Sequence, residues 1–532
     1  MDQYLSDVYR TRLYAPMFLV LILYLFVPRF RGLFQNLAQK TDKTGAVRIS
    51  VLAALVALAF SVALLYPGKS WGGDFSQYLA QSRAIATGTL DEWYEKNSFI
   101  IDHSYEGLGA DVYPWMYALI VLPLYLLTND FSYPVLKILS VLFFSGAVFF
   151  MTQLFCRKVR HSVALFAALF ISVNLSYAFS NNACDADVPV IFFTMLALNM
   201  TDLHLNREEE GKSGLWVAFL SGLSIFLAVQ TKTLAMALLL ALPVCDVMRL
   251  RRIPAGKADR TAYFCRHAVP YVTYAVCSGL IDLTLPRAGG TYRGYFALSP
   301  EVVKRGMDFY FDATAGFFGG DVRPIIHAIS IVLAVIVLIL SLAGMVRNFR
   351  RDDHLIVYTC GSVVMLLLYD FYRANFIYSL FPVILMEALS AGDHLLPRID
   401  GKRRLIRDLF TGAALIDLTM CAVASLTISG AIHFKGFHIN EAATEDAMDM
   451  YAYVREHLPE DSVVWFFKPR VLYYYTGVYS YIQDDNPANL EEAGYAIVDS
   501  GQEGSPVYQA LSGGDSFEEI YRNDTWLIYA RR

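Results

Sequence analysis

Charge is what this sequence has least of. Only 17% of its 532 residues are Asp, Glu, Lys or Arg, against about 25% in soluble domains. It has no basic excess either. Its 44 Lys and Arg face 49 Asp and Glu, a net charge of −5, which excludes nucleic acid as an expected partner. Cysteine is sparse. Cys156, Cys184, Cys245, Cys265, Cys277, Cys360 and Cys421 show no paired spacing and lie mostly in or beside apolar runs. They read as packing residues, not a disulfide framework or a metal site. The histidines form no H-x-x-x-H or H-x-H pattern, and P-loop and Rossmann fingerprints are missing. Zinc chemistry and nucleotide-driven pumping are discounted on that ground. No small-residue cleavage site follows the first apolar run, so a cleaved signal peptide is not expected.

Apolar residues are abundant, at 56%. They gather into runs such as Phe18 to Pro28, Val51 to Tyr66 and Ile325 to Val346. Runs of about 18–20 residues match a bilayer core of about 30 Å. Spans are expected near 13–29, 49–67, 134–155, 161–180, 187–204, 214–230, 232–249, 267–285, 324–346, 354–372, 374–391 and 407–430. The short, basic linkers 29–48, 156–161, 249–266, 347–353 and 398–407 belong in the cytoplasm by the positive-inside rule. Segment 68–113, segment 181–187, loop 286–323 and everything after about residue 431 then lie outside. This sidedness requires the short run Pro114 to Leu127 not to cross, and to lie at the outer face instead.

The fold class expected is mainly α: a polytopic helical bundle over residues 1–436, with a small α/β outer domain over 437–532. In that tail, Thr444 to His457 reads as an amphipathic helix ending before Pro459. Ser462 to Phe467 and Tyr495 to Asp499 read as strands. Phe517 to Arg522 and Thr525 to Ala530 flank Asn523-Asp524 as a hairpin.

Several polar residues cluster at the outer ends of the spans. Asp74 follows Gly72-Gly73 and precedes a helix-like stretch. It is placed either to act as a general base towards a substrate hydroxyl or to cap the helix. Asp185 and Asp187 sit two apart before Val188-Pro189. They can hold a divalent cation, bracket a polar substrate, or cap the span that follows. Lys232 and Arg373 each interrupt an apolar run, and Arg287, Arg293, Lys304, Arg305 and Arg323 populate the loop 286–323. Such cations suit a lipid phosphate, and snorkelling to headgroups suits them equally. Lys468-Pro-Arg470 with the following tyrosines fits a sugar or a pyrophosphate-like group, or an ordinary packing corner. Tyr78, Arg83, Arg293, Lys468 and Arg470 are the further candidates for substrate contact.

Taken in order, these features resemble the GT-C superfamily of membrane glycosyltransferases. The pattern is most like the bacterial branch related to protein O-mannosyltransferases and aminoarabinose transferases. The residues that carry the resemblance are Gly73-Asp74, Tyr78 and Ala84 to Gly88; Tyr113-Pro114 to Leu127; Asp185-Ala-Asp187-Val-Pro189; Thr231-Lys232; and Arg373 with Pro382. The Lys-Pro-Arg and Tyr-Thr-Gly segment is similar to the family's outer domain. Two features depart from the pattern. A span at 13–29 precedes the helix matched to the family's first, and the D-A-D motif varies within the family, so metal dependence is not carried over.

The resemblance implies an inverting transferase of the bacterial inner membrane. It would take a sugar from a polyprenyl phosphate on the periplasmic face and pass it to a glycan, lipid or protein. Asp74 would be the general base, Lys232 and Arg373 would hold the phosphate, and Asp185 and Asp187 would orient hydroxyls or a cation. A transporter or flippase is the main rival, since it uses intramembrane charges in the same way. It should show matching broken helices in two halves, and the sequence has no such symmetry. An O-antigen ligase or polymerase would place a His beside the arginines of the late loop, where none stands. A receptor or assembly subunit without catalysis is the third alternative.

Overall fold

The structure is a computed structural model that describes residues 19, 20, 22–24, 26–105, 108–209, 214–250, 257–288, 294–319, 324–395 and 404–532. The expected span at 13–29 therefore falls largely outside the described residues. The helices before the tail are α1 Pro28–Asp42, α2 Ala46–Ala63, α3 Asp74–Thr87, α4 Leu90–His103, α5 Met116–Thr128, α6 Tyr133–Lys158, α7 His161–Val173, α8 Leu175–Ser180 and α9 Asp187–Glu209. They continue with α10 Leu215–Thr231, α11 Ala237–Leu250, α12 Lys257–Thr284, α13 Pro300–Gly316, α14 Pro324–Asn348, α15 Asp353–Leu368, α16 Phe381–Leu395 and α17 Arg404–Lys435. Within the described residues, Ala46–Ala63, Tyr133–Lys158, Asp187–Leu205, His327–Asn348 and Ala414–Lys435 are long and apolar enough to cross a bilayer. The protein is an integral membrane protein.

The expected spans break at polar residues, and at one of them the side chain captures backbone groups. The expected 161–180 span divides into α7 and α8 at Asn174. The Asn174 side chain accepts from the Ser176 amide and donates to the Phe317 carbonyl at 2.8 Å. Extended backbone at Lys232 ends α10, and one 3-10 turn, Thr233–Met236, follows. Arg373 is extended too, with its own 3-10 turn, Ala374–Ile377. The run Pro114 to Leu127 folds as α5, of 13 residues. At about 1.5 Å per residue it reaches about 20 Å, short of a bilayer core. It packs on α3.

The tail adds α18 Glu445–His457, α19 Pro469–Thr476 and α20 Pro506–Gly513. Its strands are β1 Val463–Trp465, β2 Tyr479–Tyr481, β3 Tyr495–Asp499, β4 Phe517–Arg522 and β5 Trp526–Arg531. The sheet order is β2-β1-β3-β5-β4. The first three strands are parallel, and β5 runs antiparallel to both β3 and β4. The Thr444 hydroxyl caps α18 by accepting from the Ala447 amide. Pro469 opens α19, and Gly477 closes it at φ 80°, as helix ends favour.

Strand alternation gives the sheet two different faces. Val464, Ile497 and Ile528 join a core shared with Phe75, Tyr78, Trp93, Tyr113 and Trp115 of the outer helical segment. Trp465, Ala496, Val498, Leu527 and Tyr529 face the other way, towards Leu490, Val507 and Leu511. The tail and α3–α5 thus bury one continuous apolar core. The chain changes composition after Lys435, but the packing does not divide there.

A dense charge network lies at the far end of the bundle. Asp202 is 0% exposed. It pairs with Arg157 at 2.7 Å and with Lys158, and His354 lies 3.5 Å away. Lys158 also meets Asp352 at 2.8 Å, and Arg249 pairs with Asp353 at 2.8 Å. Asp202 follows Asp187 on α9 by about 22 Å of helix rise.

Candidate active site

Asp74 is the first residue of α3, and Gly73 is the N-cap. Its carboxylate therefore sits in the first turn, where the helix dipole favours negative charge. No side chain caps this helix. The Asp74 carboxylate instead accepts a hydrogen bond from the Tyr113 hydroxyl at 2.9 Å. Tyr113 is 5% exposed. Burial, with the Asp74 charge adding to it, pushes its phenol well above the usual range, although Arg470 opposes the shift. The proton stays on the phenol and is donated to the carboxylate.

Asp185 behaves as a helix-start residue: it accepts from the Asp187 amide at 2.9 Å. Its own carboxyl is pushed up to about 7, first by desolvation, then by the charges of Asp187 and Asp74, with Lys232 opposing. Asp187 opens α9 and uses both oxygens, one for the Lys232 ammonium and one for the Asn375 amide. No group of three or more His, Cys, Asp or Glu among the described residues is arranged to hold a metal ion. With both Asp187 oxygens and one Asp185 oxygen engaged, the D-A-D pair does not fit a divalent cation as it stands.

Lys232 and Arg373 both emerge from breaks between helices. Extended backbone there lets each side chain leave its helix end instead of lying along it. The Lys232 ammonium lies 4.9 Å from the Phe376 ring centre, and the Arg373 guanidinium lies 5.1 Å from that of Phe371. Arg373 is exposed, with no carboxylate partner among the described residues. Asp74, Tyr78, Tyr113, Lys232, Arg373 and Asn375 line one cleft with about 520 Å³ of empty space. Its remaining walls are Leu108, Gly109 and the aromatic residues Tyr295, Tyr369, Phe371 and Phe376. Two chain segments build the aromatic wall. The Ala297 amide donates to the Leu368 carbonyl at 2.9 Å, and the Asp370 amide to the Tyr295 carbonyl at 2.8 Å. The cleft thus brings a hydrogen-bonded carboxylate and two cations together with a set of aromatic rings.

The other sequence-level candidates are distributed unevenly. Tyr78 is in the cleft, its ring 5.1 Å from Tyr113 and 5.2 Å from Tyr117. Arg83 points to the tail instead, bonding the Tyr474 carbonyl at 2.8 Å and stacking on its ring at 4.5 Å. Lys468 is half-buried beside Phe467. Burial and then the nearby Arg373 push its ammonium down, while Asp74 and Glu441 oppose. Arg470 bonds Tyr113 and two loop carbonyls. Arg293 and Arg323 lie outside the described residues.

Residues that sequence reasoning passed over are Asn375, Tyr113 as a partner of Asp74, the wall aromatics and Lys69. Lys69 is 1% exposed. It donates to the Ala183 carbonyl at 2.7 Å and sits 4.4 Å from the Phe75 ring centre, which draws the Asp185 loop towards the start of α3. Its place as the sole Lys between the second span and Asp74 was the available signal.

No family model matches the chain, and no curated protein matches it by sequence. Solved structures do match. ArnT from Cupriavidus metallidurans bound to undecaprenyl phosphate is 13% identical, with 90% of this chain and 97% of that chain covered and a TM-score of 0.55. The Archaeoglobus fulgidus oligosaccharyltransferase in complex with Zn and sulfate is 12% identical, covering 91% and 73%, at 0.53. AglB from the same archaeon, in complex with an inhibitory peptide and a dolichol-phosphate, is 12% identical, covering 87% and 70%, at 0.50. The chain shares its fold with these solved structures.

Proposed function

We propose that the protein is a glycosyltransferase that moves a sugar from a polyprenyl-phosphate donor to an acceptor hydroxyl on the outer face of a bacterial inner membrane. The observation that supports this reading is that Asp74, Lys232 and Arg373 line one cleft. The acceptor oxygen attacks the anomeric carbon as its proton passes to Asp74. The sugar–phosphate bond breaks on the opposite side, so the anomeric centre inverts. Polyprenyl phosphate leaves with one more negative charge than the donor phosphate carried, and Lys232 and Arg373 meet that charge. Asp187 holds Lys232 in place together with Asn375, and Asp185 anchors the turn that presents Asp187. The undecaprenyl phosphate and dolichol-phosphate named for two of the similar structures support a lipid phosphate as the leaving group.

The test incubates purified protein in lipid with a panel of polyprenyl-phosphate sugars and follows the release of free polyprenyl phosphate. Release by the wild type, lost in Asp74→Asn, is the expected result. Undiminished release by Asp74→Asn would remove Asp74 from the mechanism. No release from any donor would favour the transporter reading.

A further inference from the structure

Arg470 belongs to the tail, yet it is only 5% exposed and bonds Leu108 and Tyr113, which line the cleft. It donates to the Leu108 carbonyl at 3.1 Å, the Ala110 carbonyl at 2.5 Å and the Tyr113 hydroxyl at 2.8 Å. The last contact has a directional consequence. Guanidinium has donors and no acceptor, and a phenol has one proton. Tyr113 must therefore receive Arg470 on a lone pair and point its own proton elsewhere, which here is towards Asp74. The loop is held from the other side too. Gln77 donates to the Asp111 carbonyl at 3.0 Å, and Gln81 to the Tyr113 carbonyl at 2.9 Å. Gly109, at φ 106°, allows the close approach. A Cβ there would stand 2.9 Å from the Tyr113 hydroxyl and 3.3 Å from Arg470. No other side-chain hydrogen bond reaches Asp74 among the described residues, so its second oxygen is left for an acceptor.

We infer that Tyr113 and Arg470 are positioning residues for Asp74, and that the tail domain thereby sets the orientation of the carboxylate that takes the acceptor proton. The inference rests on the reading of Asp74 as the base. It explains why a membrane enzyme of this design shares one apolar core between its tail and its outer helices. A misplacement of about 1 Å in a reacting group costs on the order of 100-fold in rate, and a shared core keeps such displacements small.

The test uses the full-length protein in lipid and measures kcat and donor KM for polyprenyl-phosphate release from the same panel. Tyr113→Phe keeps the ring and removes only the hydroxyl. It is expected to lower kcat by about 10- to 100-fold with KM within about twofold. Arg470→Met is expected to do the same, and Arg470→Lys to recover part of the loss. The double variant Tyr113→Phe/Arg470→Met should be no slower than the worse single one, because one chain of contacts is cut twice. In an Asp74→Asn background, Tyr113→Phe should cost nothing further. Wild-type kcat in Tyr113→Phe, or multiplying losses in the double variant, overturns this inference while an inactive Asp74→Asn keeps the base assignment. An active Asp74→Asn, or a wild type that releases nothing, overturns the base reading and this inference together.

Discussion

The bundle buries charge at both ends and treats it in opposite ways. At the end holding Asp202, three acids each meet a base: Asp202 pairs with Arg157 and Lys158, Asp352 with Lys158, and Asp353 with Arg249, and together they form a closed set. At the end holding Asp74, the pairing is incomplete. Lys232 is satisfied by Asp187, but Arg373 and Lys468 have no carboxylate partner among the described residues, and an open cleft lies beside them. Residue type is the same in both places, so residue type does not mark function. A closed network recovers its desolvation cost within the fold. An open one leaves that cost for a ligand to offset, and uncompensated charge at a cleft is the mark of a binding site.

Substitutions at matching positions sharpen this contrast. The largest effect is expected at Asp74. Asp74→Asn should lower turnover by about 10²- to 10⁴-fold, the usual contribution of a general base, while donor binding and thermal stability stay near wild type. Its counterpart is Asp202→Ala, which strands buried cations. It should cost about 3–5 kcal/mol of stability, read as a lowered unfolding midpoint or loss of folded protein in detergent. A stable Asp202→Ala would mean that the closed network is not structural.

Next come the cations of the cleft. Arg373→Ala should raise the donor Kd by about 10-fold or more, the worth of a charge-assisted hydrogen bond, with stability unchanged. Lys232→Ala should weaken binding too, but it also strands Asp187, so it is expected to lower stability as well. Equal stability of the two variants would break the distinction between a free and a paired cation. Binding of polyprenyl phosphate by the purified protein reads both.

A smaller effect is expected at Asp185. Its folded carboxyl is raised to about 7, by desolvation first, against about 4 in an unfolded chain. The folded state then holds the extra proton between those values, so stability falls as pH rises from about 4 to about 7 and flattens above. Asp185→Asn should remove that slope in a thermal-denaturation series. The smallest expected effect is none: chelation should leave transfer intact, because Lys232 and Asn375 already occupy Asp187. Lost activity, restored by Mg²⁺ or Mn²⁺, would show that these contacts rearrange around a cation.

Much of the architecture is written locally. Apolar run length alone marks a membrane bundle, and the tail helix and the β3 and β4–β5 strands fall where period and turn residues put them. β2 and α20 were not legible, because Tyr479–Tyr481 and Pro506–Gly513 are too short to show a period. In the sequence, Lys232 and Arg373 show only as cations between two apolar runs. In the structure the breaks after Thr231 and before Ala374 are the sites where Lys232 and Arg373 enter the cleft.

The sequence by itself determined that polar residues would stand at the ends of apolar spans, since a bilayer leaves them few other places. It put Asp74, Asp185, Asp187, Lys232 and Arg373 there. Which partner each one meets was decided only in three dimensions. Lys232 turned out to answer Asp187, which is 45 positions away. Tyr113 joined Asp74 to Arg470, which lies 357 positions further on, and Arg83 tied α3 to the tail. A span end is a local property of composition. A hydrogen-bond partner is set by which helices pack together, and no spacing along the chain records that.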